Sequence, residues 1–129
     1  MPLIRVAVAE DHPEMRVVLR LLVKLSTDMK LVWEGDNGQA AVEAVQRLQP
    51  DVLVMDIQMP RLDGFSATLQ IVELGVHTQV ILISGHIGSY IAMKSAQVGA
   101  KGFVPKDDLA MSLPLAIRAV YRGETFFME

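Results

Sequence analysis

Five short apolar runs recur along the chain, each the length of one strand, and the segments between them are each the length of one helix. The runs are residues 3–9 (LIRVAVA), 30–33 (KLVW), 52–55 (VLVM), 79–83 (QVILI) and 102–104 (GFV). Unbroken apolar runs suit strands buried on both faces, as in parallel sheets covered by helices. Regular alternation of strand and helix then predicts a single α/β domain over 1–129. Its five-stranded parallel sheet should have right-handed crossovers placing five helices on both faces.

The helical segments carry their own signals. Pro13 suits the opening turn of the first, whose Met15, Val18, Leu19, Leu22 and Leu25 repeat at helical spacing as an expected core stripe. Residues 39–48 follow the turn signal GDNG, and residues 65–74 follow LDG and stop at Gly75. A fourth helix is expected over 89–98, ending at Gly99. A fifth is expected over 112–122, ending at Gly123, with Pro114 in its first turn.

A net charge of −3 disfavours nucleic acid as the direct partner of this chain. With 0 cysteines there is neither a disulfide framework nor a thiolate metal site. No apolar run approaches a membrane span, and the amino terminus reaches Glu10 and Asp11 too soon for a signal peptide, so the expected compartment is the cytoplasm.

Laid parallel, the strands bring a chemical set to one edge. Glu10 and Asp11 follow the first strand, Asp56 the third, Ser84 the fourth and Lys106 the fifth. That carboxyl edge is where open α/β sheets bind ligands. Each residue has an ordinary explanation: a solvated turn for the acid pair, a turn or cap for Asp56, a helix cap for Ser84, a surface charge for Lys106. Their joint placement favours a shared role. Three carboxylates in one crevice repel unless a cation shares the site, and an oxygen-only ligand set selects Mg²⁺ over zinc. A metal, an ammonium and a hydroxyl around one carboxylate suit phosphoryl transfer, with Asp56 as nucleophile.

The acid pair Glu10-Asp11, the block DVLVMDIQMPRLDG around Asp56, Ser84, and GAKGFVPK ending in Lys106 together resemble the receiver domain of two-component response regulators. The resemblance spans essentially the whole chain. It implies a flavodoxin-like (CheY-like) sheet of order 2-1-3-4-5. It also implies phosphorelay signal transduction, in which a sensor histidine kinase or phosphotransfer protein donates a phosphoryl group to Asp56. The implied Mg²⁺ ligands are Asp11, Asp56, the Gln58 carbonyl and, through water, Glu10. Ser84 and Phe103 are implied as the switch pair, Phe103 standing where a tyrosine is commoner, and Pro105 departs from the usual pattern around the lysine. Gln58 and His86 occupy positions that border the site entrance in the family, where they would tune phosphate lifetime.

The tail LAIRAVYRGETFFME resembles the receiver end of NarL/FixJ (LuxR-type) transcription regulators. This implies a longer phosphoprotein that controls transcription and contacts DNA only through a C-terminal domain absent from this chain, with possible homodimers on phosphorylation; a stand-alone receiver is the rival reading. Catalysis would be limited to the domain's own phosphorylation and dephosphorylation, without turnover of a substrate. A haloacid-dehalogenase-like phosphatase, which also uses an aspartyl nucleophile, expects a second acid two residues on, where Gln58 stands. A flavodoxin-like cofactor module lacks its phosphate loop after the first strand, and a receiver that never takes phosphate fits poorly with the intact acid set. Trp33, His12 and His77 are assigned to packing or solvent.

Overall fold

The computed structural model describes residues 2–128. The strands are β1 (Ile4–Ala9), β2 (Met29–Gly35), β3 (Val52–Asp56), β4 (Gln79–Ser84), β5 (Gly102–Pro105) and a short β6 (Phe126–Phe127). Five helices intervene: α1 (Pro13–Lys24), α2 (Gly38–Leu48), α3 (Gly64–Glu73), α4 (Ser89–Gln97) and α5 (Leu109–Tyr121). Every strand pairing is parallel. The sheet order is 2-1-3-4-5-6, so the strands bearing the chemical set, β1, β3, β4 and β5, are neighbours in space.

Alternation along the strands separates two cores. Val6, Val8, Val52, Val54, Ile81, Ile83 and Val104 face α1 and α5, where Leu19, Val23, Leu113, Ile117 and Val120 meet them. The intervening Ala7, Ala9, Leu53, Met55, Val80, Leu82 and Phe103 face Val45, Ala67, Ile71 and Ala92 of α2, α3 and α4. Both strand faces are therefore covered, which is why the sequence shows continuous apolar runs rather than alternation with polar residues.

Three expectations need correction. The sheet has a sixth strand, in which Phe126 packs on the α1/α5 core and Phe127 on the other. Two residues are too few to show a periodic signal. Val18 of α1 and Leu25 just past its end are exposed, and Leu19 and Val23 instead form the fully buried line, with Met15 and Leu22 partly buried beside it. Helix α5 begins at Leu109, so Pro114 lies beyond the first turn. The missing proline N–H leaves the carbonyl of Ala110 without its helical donor, but Ala110 is exposed and water can satisfy it.

The connection from β3 to α3 is clamped from two sides. A Cβ on Gly64 would lie 2.5 Å from the Asp56 carbonyl oxygen and 2.7 Å from the Ile57 Cα; one on Gly38 would lie 1.9 Å from the Leu62 carbonyl oxygen. Only hydrogen fits where these backbones meet. The Gly64 N–H also donates to the Ile57 carbonyl at 2.7 Å, and Asp63 caps α3 by accepting from Ser66 N–H at 2.9 Å. Because the colliding atoms are backbone, Gly64→Ala should destabilise the protein by about 1–3 kcal/mol, the usual range for overpacking. Urea unfolding checks this; an unchanged midpoint would show that the loop yields freely.

Candidate functional site at the sheet edge

Asp56 is the last residue of β3 and only 2% exposed. Its Oδ1 accepts from the Gln58 N–H at 3.2 Å, so it does close a local turn. That role does not account for Oδ2, which accepts from Lys106 Nζ at 2.9 Å. The ammonium also lies 2.8 Å from Oε1 of Glu10, whose side chain is wholly buried. One lysine thus bridges two buried carboxylates on different strand ends. Its contact with Glu10 is a close ion pair without the alignment of a hydrogen bond, for Glu10 Oε1 and Asp11 Oδ1 are buried oxygens with no well-aligned donor.

The electrostatics follow from this crowding. Burial pushes the Asp56 carboxyl above its ordinary value; the Lys106 hydrogen bond opposes that shift, and the charge of Glu10 adds to it. Burial works against charge on Lys106 too, but there the contacts with Glu10 and Asp56 outweigh it and the ammonium is favoured. The same contact favours charge on both partners, yet at Asp56 desolvation and a second carboxylate win.

The other members sit around this centre. Asp11 lines an open cleft of about 700 Å³ with His12, Ile57, Gln58, Met59, Pro60, Asp63 and Phe65. Ser84, 3% exposed, lies one residue beyond Ile83, the register partner of Asp56, and its Oγ accepts from the His86 N–H at 3.0 Å. His86 is exposed and does not line the cleft. Phe103 is fully buried in the core shared by α2, α3 and α4. Gln58 is exposed at the cleft, with its backbone held against Asp56.

Two residues escaped the sequence reading. His12, assigned to packing or solvent, turns its Nδ1 toward the acids, 3.2 Å from Glu10 Oε2 and 3.3 Å from Asp11 Oδ1. Arg16 donates through Nη1 to the Glu10 carbonyl at 2.8 Å and so fixes the loop carrying the acid pair. Arg16 stands one helical turn after His12, whose carbonyl accepts the Arg16 N–H at 2.9 Å. That spacing was the available signal.

One oxygen each of Glu10, Asp11 and Asp56 and a ring nitrogen of His12 lie within 4.8 Å of one another. Three carboxylates gathered around one ammonium leave negative charge that a bound cation would offset, so these residues fit a divalent ion.

Comparison with known proteins agrees with this geometry. The family model for the response regulator receiver domain matches residues 6–118. The transcriptional regulatory protein YxjL of Bacillus subtilis is 34% identical over 124 residues, covering 96% of this chain and 57% of that protein. The regulatory protein NarL of Mycobacterium tuberculosis is 33% identical over 120 residues, covering 93% of this chain and 56% of that protein. The chain therefore spans a little over half the length of these relatives. The solved signal receiver domain of NarL from Mycobacterium tuberculosis superposes with a TM-score of 0.92 at 32% identity, covering 96% of this chain and 100% of that one. With four neighbouring strand ends converging on one buried aspartate, and the family model matching from Val6 to Arg118, the chain belongs to the response regulator receiver domain family.

Proposed function

We propose that this chain accepts a phosphoryl group on Asp56 from the phosphohistidine of a sensor kinase or phosphotransfer protein, and that the longer protein to which it belongs controls transcription. The observation that carries this reading is the environment of Asp56: a carboxylate 2% exposed, beside a second buried acid, held by one ammonium, and followed by Ile57 and Gln58 in the lining of an open cleft. In the step, an oxygen of Asp56 attacks phosphorus as the P–N bond to the donor imidazole breaks; the electron pair leaves with the ring nitrogen, and the product is an acyl phosphate. Lys106 meets the incoming anion, and Ser84 offers a hydroxyl to it. Asp11, Asp56 and the Gln58 carbonyl, with Glu10 through water, would hold a Mg²⁺ ion, which when bound would neutralise negative charge on the reacting groups.

Each chain carries one acceptor, so it works as a switch rather than a turnover enzyme. Its place of action is the cytoplasm, and no helix among the described residues is long and apolar enough to cross a membrane. Ser84 and Phe103 relay the modification to the surface formed by α4 and β5, where a change in self-association is the expected output. DNA contact belongs to a further domain of the longer protein.

Acetyl phosphate with Mg²⁺ should add one hydroxylamine-labile phosphoryl group, read by intact mass, and Asp56→Asn should abolish it. A modified serine or histidine would sink the assignment. Lifetime is a separate matter. Gln58→Ala should change the dephosphorylation rate several-fold, because its side chain borders the cleft. His86→Ala should act more weakly, since that residue does not line it. Equal lifetimes in all three proteins would remove both from the water's path.

The raised carboxyl at Asp56 makes a stability prediction with a definite sign. A folded-state pKa above the unfolded value of about 3.9 means that ionisation costs the native state stability. The cost is absent at lower pH, grows as pH rises between the two values, and is complete above the folded one. Asp56→Asn should therefore melt higher than wild type at neutral pH without metal, with the difference shrinking on acidification below about pH 4. A constant difference from acid to neutral pH would show that the carboxylate charge is not the cause.

A further inference from the structure

Phe103 on β5, the ring expected to move with phosphorylation, is clasped from outside by β6. It pairs in register with Phe127, and its carbonyl accepts the Met128 N–H at 3.0 Å. The Lys101 carbonyl accepts the Phe126 N–H at 2.9 Å, so β6 hangs on β5 by backbone bonds on either side of this residue pair. Phe127 packs in the same apolar cluster as Phe103, the one facing α2, α3 and α4. Without β6, β5 would be the edge of the sheet; with it in place, Phe103 is 0% exposed. The clasp itself is slight. It is two residues long, and Phe126, Phe127 and Met128 are only half-buried. Short edge segments of this kind open at the low end of a protein's range of local stability. The turn before it is firmer: α5 ends in a Schellman motif, with Gly123 at φ 89°. There the Gly123 N–H donates to the Val120 carbonyl and the Glu124 N–H to the Ala119 carbonyl, both at 3.0 Å.

We propose that β6 is a detachable strap whose hold on β5 is set by the position of the Phe103 ring, so that phosphorylation of Asp56 loosens it and passes the signal into the segment that β6 leads to. The inference rests on the phosphoacceptor reading of Asp56 given above. Leu82 is the register partner of Phe103, and Ser84 lies two residues further along the same face of β4. Strands β4 and β6 flank β5 on opposite sides. A ring drawn toward Ser84 therefore moves away from Phe127, and the strap loses both apolar contact and the alignment of the Met128 bond. Such coupling runs in both directions. A strap that phosphorylation weakens is one whose weakening favours the phosphorylated form, because the coupling free energy between two sites is reciprocal.

Amide hydrogen exchange of the full chain, followed by NMR, tests the strap, with intact mass reporting the phosphoryl content. Acetyl phosphate and Mg²⁺ should speed exchange at Phe126 and Met128 by about tenfold, the scale of coupling between sites. The Ile4 amide, bonded at 2.9 Å to the Asp28 carbonyl and remote from β5, should keep its rate. Phe103→Leu should speed the same two amides with no phosphoryl group present, again sparing Ile4. Phe127→Ala, which removes a half-buried ring, should bind beryllofluoride, a non-covalent phosphoryl analogue, several-fold more tightly than wild type. Phosphorylated wild type with unchanged exchange at Phe126 and Met128 would overturn the proposal. So would Phe103→Leu matching wild type at those amides, or equal beryllofluoride affinity in Phe127→Ala and wild type. Failure of the broader reading looks different: the mass shows no phosphoryl group, and exchange in Phe103→Leu then decides whether the ring holds the strap.

Discussion

Lys106 holds two buried carboxylates at once, and much of the molecule is arranged around that unequal match. Glu10 and Asp56 come from different strands, are almost fully excluded from water, and share one ammonium at 2.8 and 2.9 Å. Ion pairs this buried add little stability, because the attraction must first offset desolvation of every partner. Here the count is also uneven, with an oxygen of Asp11 within 4.8 Å of both acids. A site left with surplus negative charge is stabilised by whatever positive or hydrogen-bonding partner arrives. Such a cluster suits a cation.

The scaffold maintains this arrangement through close backbone contact. The loop from Asp56 to Asp63 is pinned by Gly64 against the Asp56–Ile57 backbone and by Gly38 against Leu62, and it includes Arg61 in the left-handed region at φ 69°. On the other side, Arg16 holds the Glu10 carbonyl and Arg20 donates through Nε and Nη2 to both carboxylate oxygens of Glu34, tying α1 to β2. The strand ends are therefore rigid where the chemistry needs fixed distances. Ser84 and His86 stand at the opposite side of Asp56, where β4 gives way to the exposed loop before α4. A local event at Asp56 has a short route to that surface.

Legibility in the sequence followed burial. Strands β1, β3 and β4 were readable because both of their faces are covered, so each is a run of apolar residues. The acids, the serine and the lysine were readable because each interrupts or ends such a run. Partners of the opposite kind were not. Phe126 and Phe127 pair with Gly102 and Phe103, a contact across the chain that two adjacent rings cannot announce. Val18 and Leu25 carried the right spacing but belong to an exposed flank of α1, since a periodic stripe wider than the contact includes residues at its margin. His12 was assigned to packing or solvent, and it is exposed; only the direction of its ring nitrogen sets it apart.

The charge imbalance at Asp56 is the claim on which the account stands, and carboxyl carbon NMR measures it directly. In the metal-free protein, the Asp56 carboxyl should titrate above the ordinary carboxylate range, and Glu10→Gln should bring it down by removing the neighbouring charge and releasing Lys106 to Asp56 alone. An Asp56 carboxyl that titrates in the ordinary range, or one indifferent to Glu10→Gln, would contradict the account.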